Sequence, residues 1–224
     1  MKREVLAQNL ENLIQRVEKA RLRVSDHHIV KIIAVSKYTD LESIKILYEL
    51  GQRAFGENQI QQLQERVKAT SSLPLEWHMV GRVQKNKINK LLEIDPFLVH
   101  SIDSVKLAEA FNKRLEEKGK SIDALLQINS AKESSKAGVA PEEAIDIFYE
   151  IRERFPNINL KGVMSIGAHT DDKEKVKKSF EITRNIFDQL KDVKICSMGM
   201  SGDFELAIEC GSNLIRVGSV IFGK

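Results

Sequence analysis

Cysteine is scarce in this chain: Cys196 and Cys210 are the only two among 224 residues. Two cannot build a disulfide framework, and their spacing is not that of a metal site. Both lie among apolar neighbours and are expected as reduced core thiols. A surplus of one charge is missing too. Thirty-five basic and 32 acidic side chains leave a formal charge of +3, spread along the whole sequence. A nucleic-acid module gathers its excess into a stripe, so no nucleic-acid partner is expected. The densest basic run, Lys173, Lys175, Lys177 and Lys178, is diluted by Asp171, Asp172, Glu174 and Glu181 and reads as a solvated helix face. No apolar run approaches the roughly 18 residues of a membrane helix. Residues 1–5 begin positively but lead into no apolar segment of the kind a secretion signal requires, so the cytoplasm is the expected compartment. Low-complexity linkers and any sign of a second domain are also absent.

What the sequence does contain is an alternation. Leu6, Leu10, Leu13, Ile14, Val17 and Ala20 recur at helical spacing and predict an amphipathic helix over 3–24, covering one face of the domain. Strand-like segments follow at 32–36, 53–56, 76–80, 97–101, 124–129, 160–165, 195–198 and 214–217. Helical patterns separate them at 41–50, 59–69, 85–93, 104–118, 141–155, 173–190 and 203–210. Asp40 and the Asp103-Ser104 pair are placed to cap helices, and Pro141 suits a first helical turn. Strands alternating with helices pair in parallel through right-handed crossovers. Eight of them close most simply into a (β/α)8 TIM barrel, an α/β fold with one extra N-terminal helix, filling residues 1–224 as a single domain. An open doubly wound sheet is the alternative. The longest polar connection, 131–140, is expected as a loop over the barrel mouth.

In such a barrel the chemistry gathers at the carboxyl ends of the strands. After the first strand stands Lys37, which on these residues alone either marks where the strand reaches water or is an amine at the rim of an apolar core, where partial desolvation makes a nucleophile. After the second come Gly56, Glu57 and Asn58; the Asn58 amide could face a ligand or cap the next helix. The third segment carries His78 beside Trp77, one facing the interior and the other the helices; a lone histidine in such a place is more often a satisfied core group than a catalyst. The seventh exit reads Ser197-Met198-Gly199-Met200-Ser201-Gly202-Asp203, and the eighth Arg216-Val217-Gly218-Ser219. Glycines and serines at these two exits offer free N–H groups and hydroxyl donors to an anion, where barrels commonly place a phosphate. An imine-forming amine facing a phosphate nest suits pyridoxal 5'-phosphate (PLP). Arg216, one step before the nest, could donate to the pyridine nitrogen. A guanidinium does not surrender its proton, so carbanion chemistry would be weakly supported.

Several stretches together resemble the pyridoxal phosphate homeostasis protein family, relatives of the alanine racemase barrel. They are Ala34-Val35-Ser36-Lys37, Phe55-Gly56-Glu57-Asn58, Trp77-His78 with Gly81 and Gln84, Ser135-Lys136 with Gly138, Ser197 to Ser201 with Asp203, and Arg216-Val217-Gly218 closing with Ile221-Phe222-Gly223. The resemblance implies a fold-type III barrel with PLP held as a Schiff base on Lys37. It implies cofactor contacts from Asn58, His78, Met200, Ser201, Arg216, Gly218 and Ser219. It also implies a cytoplasmic monomer without established catalytic turnover, buffering PLP or delivering it to PLP-dependent apo-enzymes. Asn213, where a threonine is expected, and Gly162-Val163-Met164-Ser165 depart from the pattern. The chain stops at Lys224, with no segment after the eighth strand for the additional domain a racemase uses. A small PLP-dependent racemase or lyase is the alternative function, and a phosphosugar Schiff-base aldolase a third.

Overall fold

The computed structural model describes residues 1–133 and 137–223. Eight parallel strands close into a barrel in which each pairs with its neighbours in sequence and β1 pairs with β8. The strands are β1 (Lys31–Val35), β2 (Ala54–Glu57), β3 (Glu76–Met79), β4 (Leu98–Ile102), β5 (Ile122–Ile128), β6 (Ile158–Ser165), β7 (Ile195–Ser197) and β8 (Leu214–Val217). Closure is in register, Lys31 opposite Leu214 and Ala34 opposite Val217. The expected barrel is therefore the observed one, and the open sheet is excluded.

The two-residue period of a strand sorts side chains between barrel interior and helix layer. Ile33, Val35, Ala54 and Leu214 pack together inside, as do Leu98, Leu125 and Met164. Ala34, Phe55, Trp77, Val99, Leu126, Val163, Cys196 and Val217 belong to the larger core between strands and helices. The interior is not wholly apolar, because His78, His100 and Arg216 are buried there as well.

The outer layer consists of α1 (Arg3–Leu22), α2 (Leu41–Glu49), α3 (Ile60–Ala69), α4 (Ile88–Ile94), α5 (Val105–Lys118), α6 (Ala144–Arg154), α7 (Lys173–Gln189), α8 (Phe204–Glu209) and α9 (Ser219–Phe222). Asp40 caps α2 by accepting from Ser43 N at 2.7 Å, and Ser104 caps α5 by accepting from Leu107 N at 3.2 Å. The run expected as one helix over 85–93 begins with a 3-10 turn, Lys85–Lys87, before α4. Pro141 likewise opens a 3-10 turn ahead of α6. The one-turn helix α9 has too few residues to show a periodicity and is not legible in the pattern.

That short helix explains the long leading one. Eight strands need an outer cover, and α9 supplies a single turn of it. Helix α1 packs against α2, α8 and α9, burying Leu6, Leu10, Leu13, Val17 and Ala20. Each buried Leu or Val contributes about 1.5–3 kcal/mol before entropy is counted. Asn9 fixes the register by donating to the Ile221 carbonyl at 2.9 Å. Ile14, expected in the apolar stripe, is exposed instead.

Candidate functional site

A cavity of about 710 Å3 opens at the carboxyl ends of the strands. Residues of β1, β5, β6 and β8 and of the strand exits converge on it, among them Lys37, Asn58, Met200, Ser201, Arg216, Gly218 and Ser219. Seven of the eight residues singled out from the sequence thus share one cavity.

Lys37 follows the buried Ser36 at the end of β1. It is exposed at the mouth, not held in the apolar rim as the sequence suggested. The turn after it is tightly built: Thr39 N donates to the Ser36 carbonyl at 3.2 Å, and Tyr38 adopts a left-handed φ of 64°. Arg66 of α3 donates to the Thr39 carbonyl. Behind the turn, Ser36 Oγ donates to buried Glu57 Oε1 at 2.7 Å, with Arg66 Nε 3.6 Å from the same oxygen. Burial pushes the Glu57 carboxyl up, against the opposing pull of Ser36 and Arg66. Asn58 does not cap α3, whose N-cap position is Gln59 and lacks a side-chain bond. Its amide is left to the cavity.

The two last exits are stitched together through one hydroxyl. Ser201 Oγ accepts from Gly218 N at 3.1 Å and lies 3.5 Å from Val220 N. With its accepting directions taken, the Ser201 O–H is left to donate outward. Asp203 Oδ1 accepts from Met200 N at 2.6 Å and closes the turn. Gly199 is required there: its φ is +97°, and a Cβ would come within 2.8 Å of Ala207 Cβ. Gly218 lines the cavity and is also tightly packed, since a Cβ would crowd the Val35 carbonyl at 3.1 Å. Asn213, the departure from the expected threonine, joins β7 to β8 by accepting from Cys196 N at 2.8 Å and donating to the Lys194 carbonyl at 2.7 Å.

Arg216 is buried across the floor of the cavity. Nη1 donates to Ser197 Oγ at 2.6 Å and Nη2 to the Ser165 carbonyl at 2.9 Å. Two of its five N–H groups are so engaged, and the others are available to an acceptor above. Burial lowers its pKa to about 10, with Asp203 opposing, so it stays charged at neutral pH.

His78 is the exception. It does not line this cavity but sits fully buried in the barrel, Nδ1 3.1 Å from His100 Nε2. The strand alternation did send it inward, with Trp77 outward against Phe55. Its ring, however, reaches across to β4 and toward the amino end, not up to the strand exits. Burial depresses both imidazoles, His100 well below 6.5. The cavity residues missed from the sequence are Gln127 and Met164. Gln127 sits in a run read only as a strand, with inward parity its one signal, and Met164 lies in the Gly162-Val163-Met164-Ser165 stretch noted for departing from the family pattern. The Ser135-Lys136 part of the resemblance and the centre of the 131–140 connection lie outside the described residues. After them, Val139 returns to bridge Ile128, and Gln127 Nε2 donates to the Ala137 carbonyl at 3.0 Å.

Both thiols behave as core groups, burial pushing Cys196 up to about 12 and Cys210 to about 11. Among the described residues no group of His, Cys, Asp and Glu could hold a metal ion, and no helix is long and apolar enough to cross a membrane.

Comparison with known proteins matches residues 8–224 to the family model for the alanine racemase N-terminal domain. A pyridoxal phosphate homeostasis protein of Helicobacter pylori is 54% identical over 215 residues, covering 96% of this chain and 97% of the relative. PipY of Synechococcus elongatus, solved with PLP bound, superposes with a TM-score of 0.81 at 30% identity, covering 97% of this chain and 100% of that one. An alanine racemase of Clostridium difficile shares the fold at 16% identity and a TM-score of 0.77, with 96% of this chain matched to 59% of the larger protein. The chain belongs to the alanine racemase N-terminal domain family, within its group of pyridoxal phosphate homeostasis proteins.

Proposed function

We propose that this chain binds PLP reversibly in the carboxyl-end cavity and serves intracellular PLP homeostasis, holding the cofactor in reserve and releasing it to apo-enzymes. The observation that carries this is the convergence of a primary amine, a buried guanidinium and a hydroxyl-lined turn on one cavity. PLP supplies an aldehyde that condenses reversibly with a primary amine, a phosphate dianion and a ring nitrogen that accepts a hydrogen bond.

The donor set fits that group. Lys37 brings the amine at the mouth. Ser201 offers its outward O–H, and Ser201, Gly202 and Ser219 offer backbone N–H groups that make no other hydrogen bond within the described chain. Arg216 has N–H groups to spare for a ring acceptor while remaining a cation, and a proton stays on it instead of passing to the ring. Asn58 and Ser219 add polar contacts, and Met200 an apolar one. His78 makes no direct contact in this reading.

A carrier without turnover is favoured over the racemase or lyase alternative by what the cavity omits. Among its described lining residues are Lys37, Asn58, Arg82, Gln127, Asn129, Ser201, Arg216 and Ser219, but no Tyr, His, Cys, Asp or Glu. Proton abstraction from both faces of an amino acid needs a second base besides Lys37. We take the protein to act as a cytoplasmic monomer. The test is the absorption spectrum of the PLP-loaded chain before and after borohydride, with mass mapping of the modified residue. A near-visible band that borohydride abolishes, with the added mass on Lys37, is the expected result. Added mass on another lysine, or many turnovers with single amino-acid enantiomers, would overturn the proposal.

A further inference from the structure

The stretch Phe55-Gly56-Glu57-Asn58 contains one charged residue that takes no part in the cavity. Strand parity turns Gly56 toward the barrel interior, where a Cβ would meet Ile33 and Val80, and sends Phe55 and Glu57 toward the helix layer. Ser36 has the same outward parity, following inward Val35. Neither Glu57 nor Ser36 lines the cofactor cavity. Both are 0% exposed, and Glu57 Oε2 has no hydrogen-bond partner among the described residues. A buried carboxylate so incompletely satisfied is costly, and an apolar side chain of similar volume often serves a fold as well or better. Stability alone therefore gives no reason for a carboxylate here.

The other carboxylate oxygen supplies one. Oε1 accepts from Ser36 Oγ at 2.7 Å and lies 3.6 Å from Arg66 Nε. Ser36 stands immediately before Lys37. The Arg66 side chain of α3, 16% exposed, donates through Nη2 to the carbonyl of Thr39, two residues after Lys37. Thr39 N in turn donates to the Ser36 carbonyl at 3.2 Å, so residues 36–39 form one tight turn with Lys37 and Tyr38 at its centre. Tyr38 holds a φ of 64° there, a left-handed conformation that a bulky residue keeps only when its surroundings impose it. Both ends of the turn are thus tied to the same carboxylate oxygen, Ser36 directly and Thr39 through Arg66.

We propose that Glu57 is the positioning residue for Lys37: its charge anchors Ser36 and Arg66, fixes the strained turn between them, and so aims the amine into the cavity. This rests on the reading of the cavity as a PLP site. Condensation there joins Lys37 Nζ to the PLP aldehyde carbon, and the aldehyde oxygen departs as water with two hydrogens of the neutral amine. A lysine carries its amine on a flexible stem, and Lys37, exposed at the mouth, is oriented mainly by the backbone that bears it. Holding that backbone on a braced turn reduces the freedom lost when the bond forms. Glu57 stays outside the cavity and acts through the turn.

The test compares Glu57→Gln, Arg66→Met and the double variant with the parent chain. Glu57→Gln keeps an acceptor for Ser36 and removes the charge that draws Arg66. Three readouts are taken: amide hydrogen exchange at Thr39 in the cofactor-free chain, PLP titration by the near-visible band, and binding of pyridoxine 5'-phosphate, which carries the ring and phosphate but no aldehyde. Each single variant should speed Thr39 exchange and weaken band formation about three- to tenfold, with pyridoxine 5'-phosphate affinity unchanged. Glu57→Gln should add nothing once Arg66→Met is in place, because both act on one link. Unchanged band formation, unchanged Thr39 exchange, losses that multiply in the double variant, or an equal loss for pyridoxine 5'-phosphate would overturn the proposal. Absence of the band from the parent itself would instead refute condensation at Lys37, so the two failures are distinguishable.

Discussion

Replacing Arg216 with glutamine separates what this residue does for the fold from what it does for a ligand. Among the described residues no carboxylate hydrogen-bonds the buried guanidinium, and burial lowers its pKa from 12.5 to about 10. At 1.36 kcal/mol for each unit, the charge costs the folded state on the order of 3 kcal/mol. Against this stand two charge-assisted hydrogen bonds, to Ser197 Oγ and the Ser165 carbonyl, each worth about 1.5–3 kcal/mol. The terms nearly cancel, and the shorter amide keeps part of the hydrogen bonding, so the cofactor-free variant should unfold within a few degrees of the parent. Binding has no such cancellation. Losing one charge-assisted donor to the ring removes about 1.5–3 kcal/mol, which is roughly 10- to 100-fold in Kd. Thermal unfolding of the apo-protein and equilibrium PLP titration by absorbance measure the two effects independently. A folded variant that retains PLP as tightly as the parent would refute the placement of Arg216 beside the ring.

The remaining predictions use other parts of the structure. Lys37→Ala should lose the near-visible band and the borohydride-fixed mass while melting like the parent, since the side chain is exposed; a retained band would shift the amine elsewhere. Gly199→Ala places a methyl 2.8 Å from Ala207 Cβ at a φ of +97° and should cost about 1–3 kcal/mol, read as a drop in denaturant midpoint with weaker phosphate binding. His78 and His100 have depressed pKa values when folded. The unfolded chain binds more protons below about pH 6.5, so their contribution is complete above that pH and declines as pH falls; a flat stability profile from pH 7 to 5 would contradict it. Glu57 has the opposite sign. Its raised pKa means that stability present near pH 4 is lost as pH rises through the folded value, so Glu57→Gln should raise Tm at pH 8 and leave it nearly unchanged at pH 4.5.

The barrel was legible because its signal is periodic and redundant. Short β-rich runs alternate with amphipathic helices, so an error at one boundary leaves the order intact. The carboxyl-end residues were legible for a topological reason: parallel strands bring every exit to one rim, so Lys37 and Ser201 line one cavity although 164 positions apart in the numbering. What escaped depends on side-chain reach. His78 has the same inward parity as Arg216, but its ring turns toward His100 of β4, a contact between strands that parity does not specify. Gln127 gave no sign beyond parity, since an amide in a strand marks no chemistry by itself. The packing of Gly218 was not legible for a similar reason, because its closest neighbour is the Val35 carbonyl of β1, a residue 183 positions earlier in the sequence.

The tie from Ser201 to Gly218 has a kinetic meaning as well. A cradle already braced by the chain's own bonds spends little ordering entropy when cargo arrives and needs no melting when it departs. Under the proposed function, traffic through the mouth can then be frequent while the hydrophobic interior stays sealed, so the chain would risk neither aggregation nor proteolysis each time it empties.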